Sequence, residues 1–276
     1  MSALLLGCDF SSAPNARKPI VLAVGCAIPG GVSLQRLERF DSLGSWRAWL
    51  ASEPAWVGAF DFPFGLPREL VAHLGWPMEW RALIEHYAGL DRALIRETFA
   101  AFCAARPPGG KFAHRATDAP AGSSPSMKWV NPPVAFMLHA GVPRLLEARA
   151  ALPGLHVPAS AAGRIALEGY PGLLARELIG RRSYKSDDSA SQTAPRSEAR
   201  TELLAALERG ATRLRLRLIV AGPERNQLLA DARGDCLDAA LCLVQAAWGV
   251  ARSTSVGPGY GLPAAMDPLE GWILTA

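Results

Sequence analysis

The sequence predicts an α/β protein: a sheet flanked by helices and interrupted by a large helical insertion. Three observations predict it. Short apolar runs that end in an acid recur at residues 3–10, 55–61 and 164–168. Segments with helical spacing lie between and after them, the most apolar being GDCLDAALCLVQAAW at 234–248. A block from about 66 to 160 is too helical to continue the opening sheet and reads as the insertion. At 276 residues the chain suits one large domain carrying such a block.

In chain order, ALLLGCDF (3–10) is a strand that delivers Asp9, and PIVLAVGCAI and GVSLQRLERF follow as strands. Pro29-Gly30-Gly31 between the last two is a hairpin signal. SLGSWRAWL reads as a short helix with Ser42 or Ser45 as its cap. AWVGAF (55–60) is another strand, running into Asp61 and the turn FPFGLP. Inside the insertion, 79–105 is helical with Pro77 placed to help start it. A Pro/Gly/Ser-rich loop over 107–133 and a helix near 134–150 follow. RIALEGYPG (164–172) repeats the strand-then-acid pattern with Glu168, and LLARELIG continues as a helix. SYKSDDSASQTAPRSEAR reads as polar and mobile, and TELLAALERG as helical. RLRLRLIV alternates strictly, which predicts a short strand with Arg213, Arg215 and Arg217 on one face, most simply an exposed edge. In the last helix Leu237, Leu241, Val244 and Trp248 form one stripe, and Asp235, Asp238 and Cys242 form another. The tail from 257 is turn-rich and ends in a candidate edge strand.

Half the residues are hydrophobic and a fifth are charged, so the chain can bury a sizeable core. The net charge of +4 is compatible with a nucleic-acid partner without requiring one. Five scattered cysteines with no CxxC pair argue against a disulfide framework or a zinc knuckle and make a reducing cytoplasm the expected compartment. MSALLLGCDF lacks a basic n-region, no apolar run reaches a membrane span, and no internal repeat is visible.

Asp235 and Asp238 have a local reading, since an Asp at an N-cap and again near N3 satisfies free backbone N–H groups. A single strand-end Asp is likewise often a turn residue. Three strand ends and one helix carrying acids are harder to treat separately, because ligand sites in open α/β sheets gather at the carboxyl ends of strands. Converging carboxylates repel one another, and Mg²⁺ or Mn²⁺, which prefer oxygen ligands, removes that repulsion.

The order of strand Asp, β-hairpin, second strand Asp and late helix Asp-x-x-Asp-Ala resembles the RNase H-like superfamily, nearest to RuvC-type Holliday junction resolvases. More specifically, GCDFSSAP, AFDFPFGLP, EGYPGLLARELIG, SYK and GDCLDAALC resemble the family of unknown function numbered 429, described as RNase H-like nucleases. The resemblance runs from residue 3 to about 250. It implies a mixed five-stranded sheet with its first three strands antiparallel, Asp9 on the central strand and Asp61 on its neighbour. It further implies that Asp9, Asp61, Asp235 and Asp238 are metal ligands and catalytic residues, with Glu168 binding metal or orienting water. The activity implied is phosphodiester hydrolysis in RNA or DNA with two Mg²⁺ or Mn²⁺ ions at the scissile phosphate. Asp61 stands where Glu is usual in the resolvases, which leaves strict two-metal geometry open.

Lys111, Arg115 and Lys128, with His114 and Trp129, share the insertion loop and are candidate substrate contacts, a solvated loop being the plainer alternative. Lys185 in SYK is a further phosphate candidate. The five histidines form no metal-binding spacing, and Trp46, Trp49, Trp56, Trp76 and Trp80 fit core packing. GxxxxGK[ST], GxGxxG and GxSxG are absent. Two rival functions stay open: a non-catalytic nucleic-acid-binding or scaffold protein, and a small-nucleotide phosphohydrolase. Monomer and homodimer are equally open.

Overall fold

The computed structural model describes residues 4–159, 163–254 and 257–276; the first residue of the expected opening strand and the end of the insertion at 160 lie outside them. The sheet has six strands: β1 (Leu4–Asp9), β2 (Ile20–Ile28), β3 (Gly31–Phe40), β4 (Trp56–Phe60), β5 (Arg164–Glu168) and β6 (Arg217–Val220), in the order β5-β4-β1-β2-β3-β6. β1, β2 and β3 form an antiparallel meander, while β4 runs parallel to β1, β5 to β4 and β6 to β3. The mixed sheet and its antiparallel opening match expectation; five strands become six because β6 extends the edge at β3.

Helices cover both faces. On one lie α1 (Leu43–Ser52) and the insertion helices α2 (Arg68–His73), α3 (Trp80–Ala88), α4 (Arg92–Ala104), α5 (Asp118–Ala121) and α6 (Val134–Glu147). The apolar side chains of α1 to α4 and α6 share a core with Leu6, Cys8, Leu22, Trp56 and Phe60 of the sheet. On the other lie α7 (Pro171–Ile179), α8 (Ala194–Arg209), α9 (Gly222–Ala230) and α10 (Asp235–Ala251), packed on Leu5, Val21, Ala23, Val57 and Leu167. The two sets of strand residues alternate along β1, as a pleated strand buried on both faces requires.

Several local expectations need correction. The helix expected over 79–105 is two helices, broken at Gly89–Asp91, because Asp91 accepts the Leu94 N–H (2.8 Å) and starts a new helix. Glu79, not Pro77, caps α3, accepting from the N–H groups of Arg81 and Ala82. Ser42 caps α1, accepting the Ser45 N–H at 3.1 Å. Only Arg217 of the three alternating arginines lies in β6; Arg215 has φ +54°, which breaks the extended run, and Arg213 turns to Glu177. The tail's edge strand reduces to a single bridge between Glu168 and Ile273. The SYKSDD stretch is anchored: Ser186 N–H donates to Ala232 O (3.1 Å) and Arg200 Nη1 donates to Tyr184 O (2.9 Å).

α10 is buried on nearly every side and crosses β1 in direct backbone contact. A Cβ added at Gly7 would stand 2.1 Å from Ala239 O and 2.1 Å from Leu243 N, so only glycine allows this approach. Gly7→Ala is therefore expected to destabilise the protein by about 3 kcal/mol, the upper end for overpacking. Gly44→Ala, where nothing lies within 4 Å of the new methyl, is the control and should leave stability unchanged or slightly raised. Chemical denaturation of both variants checks this. Equal stability for the two would show that α10 slides to accommodate the methyl.

Candidate metal centre at the strand ends

The register of the parallel strands places the acids. Cys8 pairs with Phe60, and Phe60 with Glu168. Asp9 and Asp61 each lie one residue beyond that pair, and Asp61 N–H donates to Cys8 O at 3.0 Å. Side chains alternate along a strand, so Asp9 and Asp61 follow Leu5, Gly7, Val57 and Ala59 onto the α10 face. Because α10 lies against Gly7, Asp238 comes down onto the same spot. Asp9, Asp61 and Asp238 each offer a carboxylate oxygen within 4.8 Å of the other two.

Asp235 is outside that set, although it lines the same cleft as Asp9 and Asp61. Neither Asp235 nor Asp238 is an N-cap. The N-cap is Gly234 at φ +78°, with no side chain to offer, and the Cys236 N–H goes to Asp231 (2.8 Å). The local reading of this Asp pair as helix caps is thereby removed. Asp238 is fully buried and spends both oxygens on partners: Tyr184 Oη donates to Oδ1, and Lys185 Nζ pairs with Oδ2. Tyr184 is a site residue that motif spacing did not single out; its adjacency to Lys185 in SYK was the available signal.

Glu168 stands apart for the reason of parity. In register with Phe60, it points to the insertion face, where Arg115 waits. Arg115 Nη1 and Nη2 grip Glu168 Oε2 and Oε1 at 2.8 and 2.7 Å, and Nη2 also donates to Asp118 Oδ1 at 3.0 Å. Glu168 further accepts the Phe64 N–H (2.9 Å). Burial works against the Arg115 charge, but Glu168 and Asp118 outweigh it and hold the guanidinium firmly ionised. Arg115 is 2% exposed, and although it borders one cleft its donors go to Asp118, Glu168 and Glu270 O inside the protein, so the structure gives it an internal role in place of the solvated loop position expected. Lys111 is exposed and Lys128 donates to Asn131 O, and neither lines the two clefts that reach the acids. The cations that do are Lys185, Lys18 and Arg233, with the internally paired Arg115 in the wall of the second; Lys18 and Arg233 were passed over in the sequence.

One cleft, of about 450 Å³, runs from Asp9 and Asp61 to Lys18 and Arg233; the other, of about 320 Å³, runs from Asp61 to Tyr170 and Ser124. Asp61, Lys185, Pro132 and Met137 border both, so Asp61 sits at their junction, with the insertion residues Pro132 and Met137 in the wall. Burial, then the Asp238 charge, raises the Asp9 carboxyl well above the usual range. The same causes raise Asp61 to about 7, with Lys185 opposing in both. Burial and Asp231 raise Asp235 to about 6. These are the marks of carboxylates pressed together with one ammonium for several charges.

These features define an α/β protein with an acidic cluster at the carboxyl ends of its central strands. The chain belongs to the family described as Protein of unknown function (DUF429), whose profile matches residues 7–258. No curated protein and no solved structure matches it.

Two outcomes are expected. Glu168→Gln leaves buried Arg115 short of a charge partner and should destabilise by about 3 kcal/mol, while any melting-temperature rise on adding Mn²⁺ persists. A stable variant that has lost its Mn²⁺ response would make Glu168 a ligand instead. The second concerns pH. With Asp61 and Asp235 raised to about 7 and about 6, the folded state holds more protons than the unfolded state between roughly pH 4 and 7. Their contribution is complete below the unfolded pKa and is lost as pH rises through 6 to 7. A cation bound at these acids would have to displace those protons, so any Mn²⁺-induced rise in Tm should be small near pH 5.5 and grow toward pH 8. A Mn²⁺ response flat across that range would contradict this.

Proposed function

We propose that the protein is a metal-dependent nuclease of RNase H-like type, hydrolysing phosphodiester bonds of RNA or DNA. The observation that carries the reading is the meeting of Asp9, Asp61 and Asp238, from two neighbouring strands and one helix, within 4.8 Å. The RNase H-like relation is supported by the antiparallel β1–β3 meander, the placement of Asp9 and Asp61 on adjacent parallel strands, and the acids on the last helix.

The donor set fits Mg²⁺ or Mn²⁺, being carboxylate oxygens only, with protonation favoured first by burial and then by their mutual repulsion. Asp9, Asp61 and Asp238 would hold the ion, with Asp235 beside them along the cleft wall. When bound, such an ion lowers the pKa of water and neutralises charge developing on a phosphoryl oxygen. The protein's own residues would do the rest. Lys18 and Arg233 face the larger cleft, where they can take up neighbouring phosphates, and Phe10, Pro132 and Met137 supply apolar wall for a base or sugar. The cytoplasm remains the proposed compartment; among the described residues no helix is long and apolar enough to cross a membrane.

A panel of single-stranded, hybrid and branched substrates should show cleavage with Mg²⁺ or Mn²⁺, lost with chelator and absent with Ca²⁺, whose looser coordination misplaces the attacking water. Asp9→Asn should abolish cutting, lose most of the Mn²⁺ melting shift and keep apo stability equal or higher, because one repelling charge is gone. No cutting across the panel with Mn²⁺ would favour a binding protein, and an apo Asp9→Asn variant that melts clearly lower would make Asp9 structural.

A further inference from the structure

Lys185 is held in place in a way a solvated surface lysine is not. Its Nζ pairs with Asp238 Oδ2, and the preceding side chain, Tyr184, takes Asp238 Oδ1. The backbone on either side is tied down: Arg200 Nη1 donates to Tyr184 O (2.9 Å), Ser183 Oγ to Lys185 O (2.9 Å) and Ser186 N–H to Ala232 O (3.1 Å). Gly234 makes room for the stem, since a Cβ there would stand 2.7 Å from Lys185 Cβ. The glycine that opens α10 therefore also seats the lysine beside the helix's acids. Lys185 lines both clefts, and its ammonium rests on the buried Asp238 beside the other acids.

Charge balance follows from this geometry. Asp9, Asp61 and Asp238 together bring three negative charges when ionised. Lys185 and one divalent cation bring three positive charges. A second divalent cation would have to displace the ammonium from Asp238 or sit against it, and Asp235 lies outside the cluster.

Resting on the metal-dependent reading above, we propose that Lys185 is a built-in cation that takes the seat of a second metal ion. The site then binds one Mg²⁺ or Mn²⁺, with the Lys185 ammonium on Asp238 supplying the remaining positive charge beside it.

Calorimetric titration of the full chain with Mn²⁺ alone tests this without any nucleic acid. The wild type should take up one ion. Lys185→Met, which keeps the stem and removes the charge, should bind a second ion or hold the first roughly tenfold more tightly, as loss of a close like charge demands. Lys185→Arg should stay at one ion. Circular dichroism confirms folding, and Lys185→Gln replaces the Met variant should that one fail to fold. Two ions on the wild type, or unchanged or weaker binding in the neutral variant, would overturn the role of Lys185 while leaving a metal site in place. No Mn²⁺ uptake by the wild type would overturn both.

Discussion

The backbone of α10 rests on Gly7 of β1, and the site follows from that contact. With no Cβ between them, helix and strand approach closely enough for a buried helix carboxylate, Asp238, to reach two strand-end carboxylates. Pressing two half-buried acids against a buried one is unfavourable unless cations answer them. One answer is internal, the Lys185 ammonium with the Tyr184 hydroxyl, and it fixes the strap between α7 and α8 against the start of α10. In the proposed function, the remaining negative charge is what a divalent ion would answer.

Strand parity then sorts acids that look equivalent in the sequence. Asp9, Asp61 and Glu168 all end apolar strands, but Glu168 is in register with Phe60 and so faces the insertion. There it becomes the anchor for Arg115 and, through Arg115, for Asp118 and the carbonyl of Glu270 (3.0 Å). A buried ion pair of this kind contributes little net stability against an apolar alternative, yet losing one partner is severe. It ties the insertion and the C-terminal tail to the end of β5, so the roof of the clefts is fixed from the side opposite the acids. Two carboxylates one register step apart thus have different partners: Asp61 meets the other acids and Glu168 meets Arg115.

Much of this was legible in the chain itself. Apolar runs ending in acids gave the strands and Asp9 and Asp61, and Pro29-Gly30 gave the hairpin, because period and turn chemistry are local properties. Asp238 was visible through its spacing in GDCLDAAL, but its distinction from Asp235 was not, since that depends on where α10 crosses the sheet. Register hid the role of Glu168. Arg115 sat among loop residues that read as solvent-exposed, and nothing local announced that its guanidinium turns inward to meet an acid 53 residues away. SYKSDD read as mobile because its composition is polar; its order comes from tertiary partners, Arg200 and Asp238, that no window around it contains. β6 was foreseen by alternation but shortened by the positive φ at Arg215, a backbone choice that alternation cannot report.

The central claim is that Asp9, Asp61 and Asp238 form one cation site. An anomalous difference map from crystals grown with Mn²⁺ tests it most directly. The account predicts a peak within coordination distance of carboxylate oxygens from Asp9 and Asp61, at about 2.0–2.2 Å as for small hard cations, with Asp238 in its shell or next to it. Crystals at neutral pH or above that show Mn²⁺ elsewhere, or none at these acids, would contradict it.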